Sequence, residues 1–456
     1  MRGKFLLTGL LLAATVLPAM AQVKVHEWKL DNGLKLIVKE DHRAPVVVSQ
    51  VWYKIGASYE PNGLTGISHV LEHLMFKGTE KYPAGEFSRI ISSNGGRENA
   101  FTGRDYTAYF QRLEKSRLHV SFELEADRMR GLLLDDKEFQ KEVRVVMEER
   151  RLRTEDKPES LTYEQFNATA FVTSPYRNPV IGWMNDLENL NIDDLKSWYQ
   201  KWYAPNNATV VVVGDVDPKA VLKLARKYFE PLKTSTIRPP RPQLETTQRG
   251  LREIRVETPA RVPYILMGYH VPVLKTAKDT NEAYALEVLA GILDGGDSAR
   301  LARQLVRDKQ IATAAGAGYS LNNRMNGLLL LEANPAQGAN MDAVQAALLE
   351  QVKQLREQPV TQAELDRVKA QVVANDVYEK DSVFYQAMQI GMLETVGMDW
   401  RVGEEYVKRI RAITAEQIQA VAKKYLTEEN LTIARLVPLP MDQKKSRPHA
   451  VSGGHH

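Results

Sequence analysis

The sequence predicts an α+β protein built from two homologous α/β domains, each an antiparallel-rich sheet packed with helices. Three observations carry this. The chain has 456 residues, more than one hydrophobic core organises. β-branched strand patterns alternate with helical ones along its length. One helix-turn-strand unit also occurs twice. "DLKSWYQKWYAPNNATVVVV" closes the first half and "QIQAVAKKYLTEENLTIARL" closes the second. With Trp202 set against Tyr425, Lys201 meets Lys424, Asn207 meets Asn430, Thr209 meets Thr432 and Leu195 meets Ile418. Such internal repetition indicates two copies of one domain.

The elements follow in order. Residues 1–21 read as a secretory signal peptide. Arg2 and Lys4 precede the apolar run "FLLTGLLLAATVLP", and Ala19-Met20-Ala21 supplies a small-x-small cleavage site. The expected location is periplasmic or secreted, with no membrane span left after cleavage. The first domain is assigned to 22–230. "EWKLDNGLKLIVKED" reads as two strands joined at Asn32-Gly33, and "APVVVSQVWYKIG" as a buried strand. "GISHVLEHLMFKGT" begins a helix whose Leu71, Leu74 and Met75 face a core. "RENAFTGRDYTAYFQRL" returns to strands, Ser116 to about Arg153 is helical and charged, and "NNATVVVVGDV" is a buried strand. Proline, threonine and charge replace apolar periodicity over 231–250, the expected linker. The second domain is assigned to 251–440, and the polar residues 441–456 to a disordered tail.

Composition excludes some function classes. Charged residues make up 26% and the net charge is only +4, without a basic stripe, which argues against nucleic acid. There is no cysteine, so an exported chain of this kind relies on packing rather than disulfides.

The chemistry concentrates in His69-Val70-Leu71-Glu72-His73. Residues four apart share a helix face, so His69 and His73 can turn two imidazoles towards one zinc ion. Glu72 borders that face and suits a general base acting on water. A catalytic zinc takes three protein ligands. With cysteine absent and the other histidines poorly placed, a carboxylate is the natural third. "KEVRVVMEERRLR" offers Glu142 and Glu149, two turns apart on one face, with Glu148 turned away by about 100°. Helix geometry leaves Glu142 and Glu149 both open.

These segments resemble the insulinase, pitrilysin and mitochondrial processing peptidase family of zinc metallopeptidases, M16. "HVLEH" is similar to its inverted zinc motif. "NGGRENAFTGRDYTAYF" resembles its active-site edge strand, and "KEVRVVMEERR" its distal-glutamate helix. The length is that of the short, two-domain processing-peptidase branch. The resemblance implies one Zn²⁺ per chain held by His69, His73 and Glu149, with Glu72 as general base and Glu142 supporting the site from behind. It implies a zinc endopeptidase for short or unfolded peptides, the chain forming half of a clamshell. Asn99, Ala100, Phe101 and Thr102 match the strand onto which a peptide substrate adds.

One departure stands out. Many members carry an arginine and, seven residues on, a tyrosine in the second half. There both reach the substrate near the zinc, so the resemblance makes Arg307 a substrate-binding residue, but the tyrosine position is Ala314, and Tyr319 is out of register. The resemblance therefore implies a dimer. Either a sister subunit lacking the zinc motif supplies an Arg/Tyr pair, or a homodimer tolerates the loss. The competing expectation is a non-catalytic structural, peptide- or metal-binding subunit of the same fold, against which the intact motif argues.

Overall fold

A computed structural model describes residues 24–441 except 239 and 242. The expected signal peptide and nearly all of the expected tail lie outside the described residues.

The first half runs β1 (Val25–Lys29), β2 (Lys35–Glu40), β3 (Val46–Tyr53), α1 (Ile67–Leu74), α2 (Glu86–Ser93), β4 (Arg97–Thr102), β5 (Thr107–Glu114), α3 (Leu118–Gly131), α4 (Asp136–Arg150), α5 (Pro158–Ala170), α6 (Met184–Asn189), α7 (Ile192–Trp202), β6 (Ala208–Gly214) and α8 (Pro218–Tyr228). The second runs β7 (Arg252–Pro259), β8 (Tyr264–Val271), α9 (Thr280–Leu293), β9 (Ala312–Gly318), β10 (Gly327–Pro335), α10 (Met341–Glu357), α11 (Gln362–Asp381), α12 (Val383–Thr395), α13 (Val402–Ala412), α14 (Ala415–Tyr425) and β11 (Leu431–Leu439).

The strands form two sheets, ordered β1-β2-β6-β3-β5-β4 and β7-β11-β8-β10-β9. β2 runs parallel to β6 and β7 parallel to β11; every other pairing is antiparallel. The two sheets therefore share one topology, the first carrying β1 in addition. The repeat seen in the sequence survives at the level of single bonds. Asn207 donates its amide to the Trp202 carbonyl at 2.9 Å, and Asn430 donates to the Tyr425 carbonyl at 2.9 Å. The helical stretch expected from Ser116 to Arg153 divides into α3 and α4, because Asp135 caps a new helix by accepting from the amides of Lys137 and Glu138. The described residues of 233–250 have no regular structure, yet Glu245 accepts the amides of Val172, Thr173 and Ser174.

One face of each sheet packs on helices of its own half. The other face is covered by a helix from the opposite half: α12 lies on β3 and β6, and α5 lies on β11, β7 and β8. The exchange is complementary in shape. Trp52 stands opposite Thr209, and Gly268 stands opposite Thr432, so the repeat makes Trp52 and Gly268 equivalent. In the first half the strand supplies the bulk, Trp52, and the helix the space: a Cβ at Gly391 would lie 2.1 Å from the Trp52 Nε1. In the second half the helix supplies Phe166 and the strand the space, with a Cβ at Gly268 only 2.6 Å from the Phe166 Cζ. Close packing of this kind locks the halves together.

Candidate metal centre

α1 buries Val70, Leu71 and Leu74 on one stripe and leaves His69, Glu72 and His73 half-buried on another. Its start is anchored from outside the helix. Gly66 takes φ 88°, which a side chain disfavours, and a Cβ there would lie 2.7 Å from the Ile181 carbonyl oxygen. The buried Glu60 carboxylate accepts the amides of Gly66 at 2.7 Å and Ser68 at 2.8 Å, two donors the first turn leaves unpaired. Burial pushes the Glu60 carboxyl up to about 7, against the pull of those amides.

α4 crosses α1 and presents two carboxylates to different sides of His73. Glu149 Oε2 lies 3.5 Å from His73 Nε2 and 3.8 Å from His69 Nε2. Glu142 Oε2 lies 3.3 Å from His73 Nδ1, and its other oxygen accepts Lys77 at 2.7 Å. The helix face that Glu142 and Glu149 share thus splits by reach. Glu149 joins both histidines, whereas Glu142 engages the far nitrogen of one. Arg153 holds the second Glu149 oxygen at 2.8 Å, leaving Oε2 to the histidines.

Burial, then the charge of His73, pushes the His69 imidazole down to about 4. Burial opposes a charge on His73, but Glu142 and Glu149 outweigh it and push that imidazole up to about 9. The His73 hydrogen bond holds the Glu149 carboxyl below its usual range. Burial pushes Glu72 upward, partly offset by the Thr102 hydroxyl, which donates to Glu72 Oε2 at 2.5 Å.

The donor set fits zinc. One atom from each of His69, His73 and Glu149 lies within 4.8 Å of the others. Ligands about 2.1 Å from a tetrahedral zinc stand about 3.4 Å apart, close to the 3.5 and 3.8 Å seen at Glu149. Moreover, the largely buried His69 ring makes no hydrogen bond among the described residues, and its Nδ1 is fully buried. A neutral, unpartnered imidazole is expensive unless its lone pair has a use.

A cavity of about 790 Å³ opens beside these groups, lined by His69, Glu72 and Glu149, with Tyr264 and Glu332 of the second half opposite. β4 is the edge strand of its sheet, pairing with β5 alone. Of its four expected substrate residues, Ala100, Phe101 and Thr102 line the cavity. Asn99 does not, its side-chain oxygen accepting the Ala100 amide at 2.8 Å. Phe101 packs edge-on against Trp52 at 5.4 Å.

Arg307 is not among the residues around this cavity. It is exposed, at the far end of a helical turn Ala302–Asp308. Ala314 pairs with Asn334 on β9, and Tyr319 spends its hydroxyl on the Pro272 carbonyl at 2.8 Å.

Several contributors went unnoticed in the sequence. Arg153 and Lys77 each sit four residues beyond a site residue, a legible signal. Thr102, expected to meet substrate, lines the cavity and also holds Glu72. Glu60, Tyr264 and Glu332 have no local signal.

Residues 35–183 match the family model for insulinase, peptidase family M16, and residues 189–372 match that of the M16 inactive domain. The chain is 32% identical to the zinc protease PqqE of Helicobacter pylori over 417 residues, 90% of this chain and 92% of that one. The chain belongs to peptidase family M16. Within the family it is also 27% identical to an uncharacterised zinc protease of Streptomyces coelicolor, over 93% of this chain and 92% of that one. Its fold superposes on a crystal structure of a protease from Helicobacter pylori with TM-score 0.86 and 32% identity, covering 91% of this chain and all of that one. It matches the periplasmic protease PqqL of Escherichia coli with TM-score 0.75 and 19% identity, covering 91% of this chain but 47% of that longer one. Two M16-type domains in one short chain account for the paired sheets.

Proposed function

We propose that this chain is an exported zinc endopeptidase for short or unfolded peptides and the zinc-bearing subunit of a dimer. The observation that carries the reading is the convergence of His69, His73 and Glu149 on one point, with Glu72 beside it in a cavity. Those three residues would hold the metal. Zinc bound there would supply Lewis acidity for peptide hydrolysis near neutral pH.

The chain's own groups do the rest. Glu72, half-buried and pushed upward, takes a proton from the attacking water and delivers it to the leaving amine. The Thr102 hydroxyl orients the accepting carboxylate. Glu142 fixes the ring of His73 through Nδ1, which sets the tautomer available at Nε2. The unpaired edge of β4 offers main-chain donors and acceptors to an extended peptide, giving affinity without sequence demand.

The dimer rests on two supports. Arg307 is exposed and lines no part of its own chain's cavity, so we assign it to a partner's. Ala314 cannot donate the hydrogen bond of a phenol, so either a sister subunit with an Arg/Tyr pair completes the site, or a homodimer works without the phenol.

A quenched-fluorescent peptide assay tests the reading. Cleavage should stop with chelator and return with zinc. Glu72→Gln should keep zinc and lose turnover by several orders of magnitude. Chelator-insensitive cleavage, or a Glu72→Gln variant of near-normal rate, would remove this mechanism.

A further inference from the structure

The charges in the cavity wall are unevenly satisfied. Its acids are engaged: Arg153 pairs with Glu149, Arg150 with Glu164, the Tyr264 hydroxyl donates to Glu332, and the Asn334 amide donates to Glu159. Two guanidinium groups in the same wall, Arg104 and Arg177, form no ion pair among the described residues. Each is held in place by neutral groups. Arg104 donates one N–H to the Asn167 side-chain oxygen at 3.2 Å and lies over the Tyr176 ring at 5.2 Å. Arg177, the next residue after Tyr176, donates to the Val172 carbonyl at 3.2 Å and the Asn62 side-chain oxygen at 3.4 Å. A guanidinium carries five N–H donors, so most of them stay free.

The acid nearest Arg104 in sequence cannot neutralise it. Asp105 is committed to Arg324 at 3.2 Å, to the Ser58 hydroxyl at 2.7 Å and to the Tyr176 hydroxyl. Half-buried, tethered and without a counter-charge, Arg104 and Arg177 each keep a planar fork of free N–H groups that suits a two-oxygen anion. The position is close to the chemistry. Arg104 is two residues past Thr102, the donor to Glu72, a span of at most about 7 Å of chain.

We propose that Arg104 and Arg177 form a carboxylate-binding subsite, so that the cavity selects peptides with an acidic side chain or a free C-terminus near the bond to be cut. For turnover this rests on the peptidase reading; for binding it does not. The test therefore measures binding, on the full-length Glu72→Gln chain with zinc added. The probes are fluorescent decapeptides, acetylated and amidated, neutral except for one Glu scanned along the length. Their controls are the matching Gln peptides, and a Gln peptide with a free C-terminal carboxylate.

At least one carboxylate placement should bind roughly tenfold more tightly than its neutral control. A gain confined to the scanned Glu identifies a side chain as the source, and one confined to the free terminus identifies the terminus. Arg104→Gln with Arg177→Gln should erase the gain, and Arg104→Lys with Arg177→Lys should retain part of it, which separates lost charge from lost folding. Equal affinity for all peptides, or a full gain in the double Gln variant, overturns the subsite. Absent turnover in the wild-type chain with the binding preference intact would count against the peptidase reading alone.

Discussion

Zinc binding at neutral pH should release about one proton, and that proton should come from His73. In the metal-free chain His69 is pushed down to about 4, so its ring is already neutral at pH 7, and Glu149 is held ionised. His73 is the exception, pushed up to about 9 between Glu142 and Glu149. A ligating imidazole must be neutral, so metal and proton compete for it. At pH 7 the competition weakens apparent zinc affinity about 100-fold from its high-pH limit, about 2.7 kcal/mol. Apparent affinity should rise about tenfold per pH unit from pH 6 towards 9, then level off. The same shift bears on the metal-free fold. A folded value above the ordinary 6.5 means that charged His73 stabilises the chain fully below about 6.5, and that this contribution fades as pH rises through about 9. Titration calorimetry in buffers of differing ionisation enthalpy counts the protons. Glu142→Ala separates two roles. It should lower the limiting affinity by 10–100-fold through lost orientation, while releasing fewer protons at pH 7 because His73 has lost a partner. An affinity flat from pH 6 to 8, or no proton released at pH 7, would refute the reasoning.

Three further outcomes follow from particular contacts. Thr102→Val removes the hydroxyl that donates to Glu72, so the carboxylate protonates more readily and the acidic limb of a kcat/KM profile should move to higher pH; an unmoved limb would detach Glu72 from that limb. Arg324→Met leaves buried Asp105 with neutral donors only, which should cost about 3 kcal/mol and lower the thermal midpoint. Adding Asp105→Asn should restore part of the loss, and a midpoint unchanged by the first substitution would deny the clamp between the halves. Gly391→Ala drives a methyl into fully buried Trp52, costing about 1–3 kcal/mol, read as a fall in the melting temperature; wild-type melting would mean that α12 is not seated there.

Features set by near neighbours in the chain were legible before any fold was known. The spacing of His69 and His73 puts them on one stripe of α1 because helix geometry is local. Asn32-Gly33 turns β1 into β2, and the unit ending at Asn207 recurs at Asn430 with the same side-chain hydrogen bond. What local rules left open was distance between elements. Glu142 and Glu149 share one face of α4, and only the crossing of α4 over α1 sends Glu149 to both histidines and Glu142 to the back of one. The strand pattern marked Trp52 as buried but could not say which half would cover it, and Phe166 carried no such mark. Each fills a space left by a glycine of the other half, a match no window of sequence contains. Arg104, Arg177, Tyr264 and Glu332 are unremarkable on their own strands and loops, and become one wall only when the two sheets meet. The sequence by itself determined the repeated domain and the face that carries the histidines, since both follow from hydrogen bonding and periodicity over a few turns. The tertiary structure decided which carboxylate joins them and which charges face the cavity, since those depend on packing between segments far apart in the chain, 69 residues for His73 and Glu142.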